Sequence, residues 1–289
     1  MDKYLKGALV SNAASLGFNW VYNMPYLEKL AHEQSLVFQP IDPAKYKRAG
    51  KSYLAYPYAK VGDHSAQGDI AKWLYEALKE TPDLTKEAYE SLIFNRIQPG
   101  GSYVGYVEAY GKKLIINQYN QMLKFTSDAL EINDDQLVGF IPYLVTKELG
   151  LSIDLAWSLA QAFTMISDYY LFYQMFDELF EQLKTKPLKE ALKESVSKAP
   201  AHYKDVLLIA LEQKDSKAFV LEHSGTACHI PHAIPLIYNI LAHTSSFKEA
   251  VELNTKLGGA SCDRGMLIGA VCSNVYDIPS DWVNQTNLT

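Results

Sequence analysis

The chain has 289 residues, of which 48% are hydrophobic and 21% charged, and a formal net charge of -6. That balance excludes a disordered or collagen-like chain, and the even scatter of Lys and Arg leaves no basic footprint for a nucleic acid. Three cysteines, Cys228, Cys262 and Cys272, form no Cys-x-x-Cys pair, which argues against a disulfide framework and sets the cytoplasm as the expected location.

Taken in chain order, Leu5, Leu9, Ala13 and Leu16 recur at helical spacing and predict a core helix at the start. No run of about 18 apolar residues follows anywhere, so no spanning helix is expected. Strand signals are confined to two short segments, 36–38 and 52–58, the second broken by Pro57. From Gln67 to Glu80, Ile70, Trp73, Leu74, Ala77 and Leu78 make one apolar stripe opposite Lys72, Glu76, Lys79 and Glu80, the pattern of a surface helix with one buried face. Further helices are predicted over 86–96, 102–125 and 135–149.

The stretch 153–183 contains neither Gly nor Pro and is rich in aromatic residues, among them Trp157, Phe163, Tyr169, Phe172, Tyr173 and Phe176. It reads as one long central helix whose rings fill a core rather than hold a cofactor. Helices are then expected over 188–197, 202–213, 231–242, 246–257 and 263–276, with Gly258-Gly259 as a C-cap and Pro279 opening a short last helix. Without repeats or linkers, residues 1–289 read as a single all-α domain, a compact helical bundle.

Three segments interrupt this helical pattern. Residues 62–69, Gly-Asp-His-Ser-Ala-Gln-Gly-Asp, open the amphipathic helix. Ser65 and Asp69 read there either as an N-cap and a first-turn acid or as part of a cradle for phosphate or carboxylate. Residues 258–265, Gly-Gly-Ala-Ser-Cys-Asp-Arg-Gly, are a loop-to-helix entry where glycine allows close approach of a ligand or of a neighbouring helix. Gly265, Gly269 and Ser273 lie four apart, which suits a tight helix contact. Cys228, His229 and His232 could supply soft metal ligands, but their spacing matches no common zinc pattern, so a polar pocket wall is preferred. Asp134 and Asp135 precede a helical segment as caps or ligand contacts.

The order of these motifs resembles the ADP-ribosylglycohydrolase family. The resemblance runs through residues 7–22, ending in the aromatic turn Trp20-Val21-Tyr22, then 62–69, 101–106, 228–235, 257–265 and 278–282. The aromatic turn is similar to that of the J-crystallin-like branch. The resemblance implies a helical fold whose central cleft holds an ADP-ribose-type nucleotide, two magnesium ions in catalytic members, and hydrolysis of a ribosyl bond. It makes Asp63, Asp69 and Asp263 the candidate catalytic acids, and Ser65, Gln67, Asp134, Ser261, Arg264 and Cys228 the candidate ligand-binding residues. Where catalytic members carry acids, this chain has Ala66 and Gln67 in one motif, and in the other Ala260, Ser261, Cys262 and Asp263 occupy the place of an Asp-x-Asp-Thr run. Only Asp63 and Asp263 remain as candidate magnesium ligands, so weak or absent magnesium binding is expected. The alternative to a hydrolase is a non-catalytic, nucleotide-sensing or crystallin-like protein.

Overall fold

The computed structural model describes residues 1, 3–124 and 129–288. Among them it is all-helical, with no strand and only three isolated bridges, Val21 with Ser52, Val21 with Gly259, and Gln136 with His229. None of these helices is long and apolar enough to cross a membrane.

The centre of the fold is the pair formed by the helices Tyr4–Ser15 and Ser261–Cys272, both buried almost along their whole length. Helices hydrophobic all round belong in a core. Their contact is close because the facing residues are small: a β-carbon on Gly265 would stand 2.8 Å from Ser11 Oγ, and Ser273 Oγ donates to the Lys3 carbonyl at 2.8 Å. The expected tight face of Gly265, Gly269 and Ser273 is therefore present. Around this pair lie the helices Ala66–Glu80, Phe140–Leu149 and Phe247–Leu257. A layer of aromatic side chains fills the next shell, where Tyr143 stacks on Tyr173 at 5.0 Å between ring centroids.

The stretch expected as one long helix is instead two, Ile153–Ala160 and Asp168–Gln182. The break is made by tertiary hydrogen bonds: Asp134 N donates to Phe163 O at 2.9 Å and Met165 N to Asn133 Oδ1 at 3.1 Å, with Ile166 N donating to Thr164 Oγ1. The helix expected over 102–125 runs from Ala109 to Met122; residues 102–108 are loop, and Phe125 lies outside the described residues. That shortening puts Glu108 at the N-cap position, with extended backbone. Neither segment expected as strand forms one. Two helices not expected from periodicity, Met24–Glu33 and Pro43–Ala49, start at Asn23 and Asp42, whose side chains accept from Tyr26 N and Ala44 N ahead of or beside a first-turn Pro.

Candidate active site

Three helix starts and one aromatic turn converge beside the central pair. Trp20 N donates to Gly259 O and Gly259 N to Val21 O, each at 2.7 Å, which ties the aromatic turn to the glycine loop. Glycine is required at 258, where φ is 77° and a β-carbon would meet the Val21 carbonyl oxygen at 2.4 Å. Two asparagines then set the helix starts. Asn12 donates to Ser65 Oγ at 2.8 Å and accepts from Ser65 N at 2.9 Å, and Asn19 Oδ1 accepts from Cys262 N at 3.1 Å. The starts of Ala66–Glu80 and Ser261–Cys272 are thereby held side by side.

Glu108 and Asp263 are buried next to this junction, with 3% and 1% of their surface exposed. Both oxygens of Asp263 and Oε1 of Glu108 lack any hydrogen-bond partner in the protein. Burial without compensating donors penalises the charged form, and it pushes both carboxyls above the ordinary carboxylate range. Each also raises the cost of ionising its neighbours, and the Asp263 charge acts on Glu108 directly. The opposing influences differ. Asp263 has the Arg264 guanidinium beside it in sequence and in the field, whereas Glu108 has the hydroxyls of Tyr110 and Tyr56. The Tyr110 hydroxyl faces Glu108 without reaching full hydrogen-bond geometry with any partner. A full positive charge favours a carboxylate more than a neutral hydroxyl does, so Asp263 is the readier of the two to ionise and Glu108 the readier to keep its proton.

Aromatic rings cover the pair. Trp20 lies edge-on to Tyr106 at 5.5 Å and tilts against Tyr53 at 5.7 Å and Tyr56 at 6.2 Å. Trp20 holds a left-handed backbone, φ 61°, unusual for a bulky residue, and its indole Nε1 is buried without a partner. Strain of this kind persists only where the surroundings enforce it.

Several residues expected to touch a ligand are buried, and most make hydrogen bonds within the protein. Arg264 is fully buried; its Nε donates to Asn254 Oδ1 at 3.1 Å, and its terminal nitrogens donate to the carbonyls of Thr226, at 2.7 Å, and Gly258. Burial lowers its pKa to about 10, which leaves it charged at neutral pH. Ser261 is buried, its carbonyl accepting from Asn254 Nδ2 at 2.7 Å, and the Ser65 hydroxyl is held by Asn12. Gln67 is buried at the same helix start with Nε2 unpartnered.

The remaining acids fall into two groups. Asp134 acts electrostatically on Glu108 and Cys228, and its Oδ1 accepts from Gln136 N at 2.9 Å. Cys228 Sγ donates to Gln136 Oε1 at 3.3 Å, and burial near these acids pushes the thiol up, so it stays protonated. Beside it, His229 Nδ1 and Asp135 Oδ1 lie 2.5 Å apart. Asp63 and Asp69 line a separate hollow with His64, and Asp63 Oδ2 accepts from Lys60 N at 2.8 Å. Tyr103, influenced by both Asp69 and Glu108, stands between the two groups. The structure thus brings Asp134, Cys228 and Asp263 together and sets Asp63 and Asp69 apart.

Among the described residues, no group of three or more His, Cys, Asp or Glu side chains is arranged to hold a metal ion. With Ala66 and Ala260 offering no donor and Ser261 a neutral hydroxyl turned to the Ser15 carbonyl, this donor set does not suit a magnesium pair, which needs several charged oxygens. Glu108, Tyr110, Tyr56 and Asn12 were not expected at the site. In the sequence Glu108 falls inside the helix expected over 102–125, among Tyr106, Val107, Ala109 and Tyr110, and carries no motif of its own.

No protein-family model matches the chain, and no curated protein does. Among solved structures, an ADP-ribosylglycohydrolase-related protein complex is similar over 99% of this chain and 91% of that one, with a TM-score of 0.68 and 15% sequence identity. The chain has the helical fold of that ADP-ribosylglycohydrolase-related protein.

Proposed function

We propose that the chain binds an ADP-ribose-type nucleotide at the aromatic turn and hydrolyses its ribosyl bond by acid–base catalysis between Glu108 and Asp263, with no step carried by magnesium. The observation behind this reading is the unequal pair of buried carboxyls whose oxygens have no protein partner. Glycosidic cleavage needs that inequality. Glu108, protonated, gives its proton to the leaving group as the bond from the anomeric carbon breaks. Asp263, ionised, takes a proton from the water that adds to the same carbon. The buried Arg264 guanidinium steadies the Asp263 carboxylate, and Trp20 and Tyr22 offer flat faces to the base or ribose. The aromatic turn Trp20-Val21-Tyr22 also supports assignment to the J-crystallin-like branch.

A second reading, a non-catalytic nucleotide-binding or structural protein, is favoured by one observation: the carboxyl oxygens are shut off from solvent beneath the aromatic cluster. Calorimetric titration with ADP-ribose, with and without magnesium, combined with an assay for released ribose product, separates the two. The hydrolase reading expects binding independent of magnesium and turnover reduced roughly 100-fold or more by Glu108→Gln and by Asp263→Asn. Binding without turnover supports a non-catalytic nucleotide-binding role, and absence of binding in both buffers removes every nucleotide reading and leaves a structural one.

A further inference from the structure

On the far side of Tyr56 and Tyr103 from the carboxyl pair lies a hollow of about 660 Å³, within the size range of small-molecule sites. Its walls are Tyr56, Tyr58, Tyr103 and Tyr106, and its polar groups include Asp63 and Asp69. One further observation points to a ligand: at the mouth, Tyr58 and Val104 are 88% and 89% exposed, the two most exposed large apolar side chains among the described residues, and they lie together.

The charges narrow the ligand class. Asp63 and Asp69 disfavour an anion. A cation is disfavoured as well, because Lys72 lines the same hollow and the Lys112 ammonium already sits 4.7 Å from the Tyr106 ring centroid. A neutral ring with one apolar face and a rim of hydroxyls answers both kinds of wall: its C–H face lies on a tyrosine ring and its hydroxyls donate to the carboxylates.

We propose that this hollow, built from Tyr58, Tyr103, Tyr106, Asp63 and Asp69, is a binding site for a neutral sugar ring. The ring lies against the tyrosines, Asp69 accepts from its hydroxyls deep in the hollow, and Asp63 accepts nearer the loop. Burial raises Asp69 to about 6, with Lys72 pulling it down and Asp63 pushing it up, so it is ionised and a strong acceptor at neutral pH. The proposal does not rest on the nucleotide reading, since its acids are Asp63 and Asp69 and not Glu108 and Asp263, although Tyr106 also packs on Trp20.

The test is saturation-transfer NMR on the full chain at pH 7.5, with the methyl glycosides of glucose, mannose, N-acetylglucosamine and ribose as probes and tetramethylammonium as a cationic control. The expected result is transfer to the ring C–H protons of at least one glycoside and none to tetramethylammonium. Tyr58→Ala should weaken that glycoside roughly tenfold, the scale of one lost aromatic contact, and Asp69→Asn should weaken it further. Tyr58 projects into solvent, so its variant keeps the fold and decides the matter even where Asp69→Asn does not fold. No transfer to any glycoside, transfer to tetramethylammonium alone, or glycoside signals unchanged in Tyr58→Ala would each overturn the proposal.

Discussion

Gly7 and Gly269 meet backbone to backbone: a β-carbon on Gly7 would stand 2.3 Å from the Gly269 carbonyl oxygen, and one on Gly269 would stand 2.1 Å from that of Gly7. Neither obstacle is a flexible side chain, so the two helices have to separate to admit a methyl group. Gly269→Ala should cost about 2–4 kcal/mol, at the upper end of overpacking in a rigid core. Urea unfolding of the variant against wild type checks this, and a loss below about 1 kcal/mol would mean that the helix pair yields easily.

Arg264 holds three acceptors that no other side chain is placed to serve: Asn254 Oδ1 and the carbonyls of Thr226 and Gly258. Arg264→Met keeps the apolar bulk but strands Asn254 Oδ1 and the Gly258 carbonyl, while the Thr226 carbonyl keeps Ala260 N at 3.0 Å, and it removes the positive charge nearest Asp263. A loss of about 3–5 kcal/mol is expected, read as a lower urea midpoint with little change in slope.

Asp263 carries a pH signature. Its folded-state pKa is raised, so the folded chain holds this proton more tightly than the unfolded chain does. Its full contribution is present below about pH 4, the ordinary carboxylate range, and declines as pH rises from there through the folded pKa. Asp263→Asn cannot ionise and escapes that decline. The variant should therefore be more stable than wild type by about 1–3 kcal/mol at pH 8, with the gain vanishing toward pH 4. Asp69, raised in the same sense, remains in both proteins and cancels in the comparison, whereas Glu108, relieved of the Asp263 charge, is raised less in the variant and adds to its gain at high pH. Thermal melts across this range decide it; a gain that is flat with pH would assign the effect to packing.

Magnesium should leave the wild-type Tm unchanged at millimolar concentration, because binding to the folded state alone raises Tm and the donor set is too sparse to bind. The variant carrying Ala66→Asp and Ala260→Asp adds two buried carboxyls beside Asp263. In chelator-treated buffer it should lose about 2–4 kcal/mol, and magnesium should recover part of that loss. A magnesium-induced rise in the wild-type Tm would show a metal site that the donor set does not suggest.

Periodicity foretold much of this architecture. The stripe from Ile70 to Leu78 lies on the buried side of its helix, and the small residues of Ser261–Cys272 face Tyr4–Ser15. Local sequence carries such features because they depend on spacing alone. The break between Ala160 and Asp168 carries no Gly or Pro; Asn133 and Asp134 make it from another part of the chain. Glu108 was illegible for the same reason. Its chemistry arises from Asp263, Tyr56 and Tyr110 closing around it, and no motif joins those positions. The hydrogen bonds of Arg264 were hidden likewise, since Thr226, Asn254 and Gly258 meet around it only in the folded chain.

The partnership of Tyr4–Ser15 with Ser261–Cys272 also sets an order of events during synthesis. Tyr4–Ser15 presents a face of Gly7, Ser11 and neighbouring small residues to a helix far downstream of it in the chain. Until residue 272 has left the ribosome, that face has no native neighbour, and closing the intervening loop carries the entropy of most of the chain. The central helix pair therefore closes only after residue 272 has emerged, however early its first partner is made.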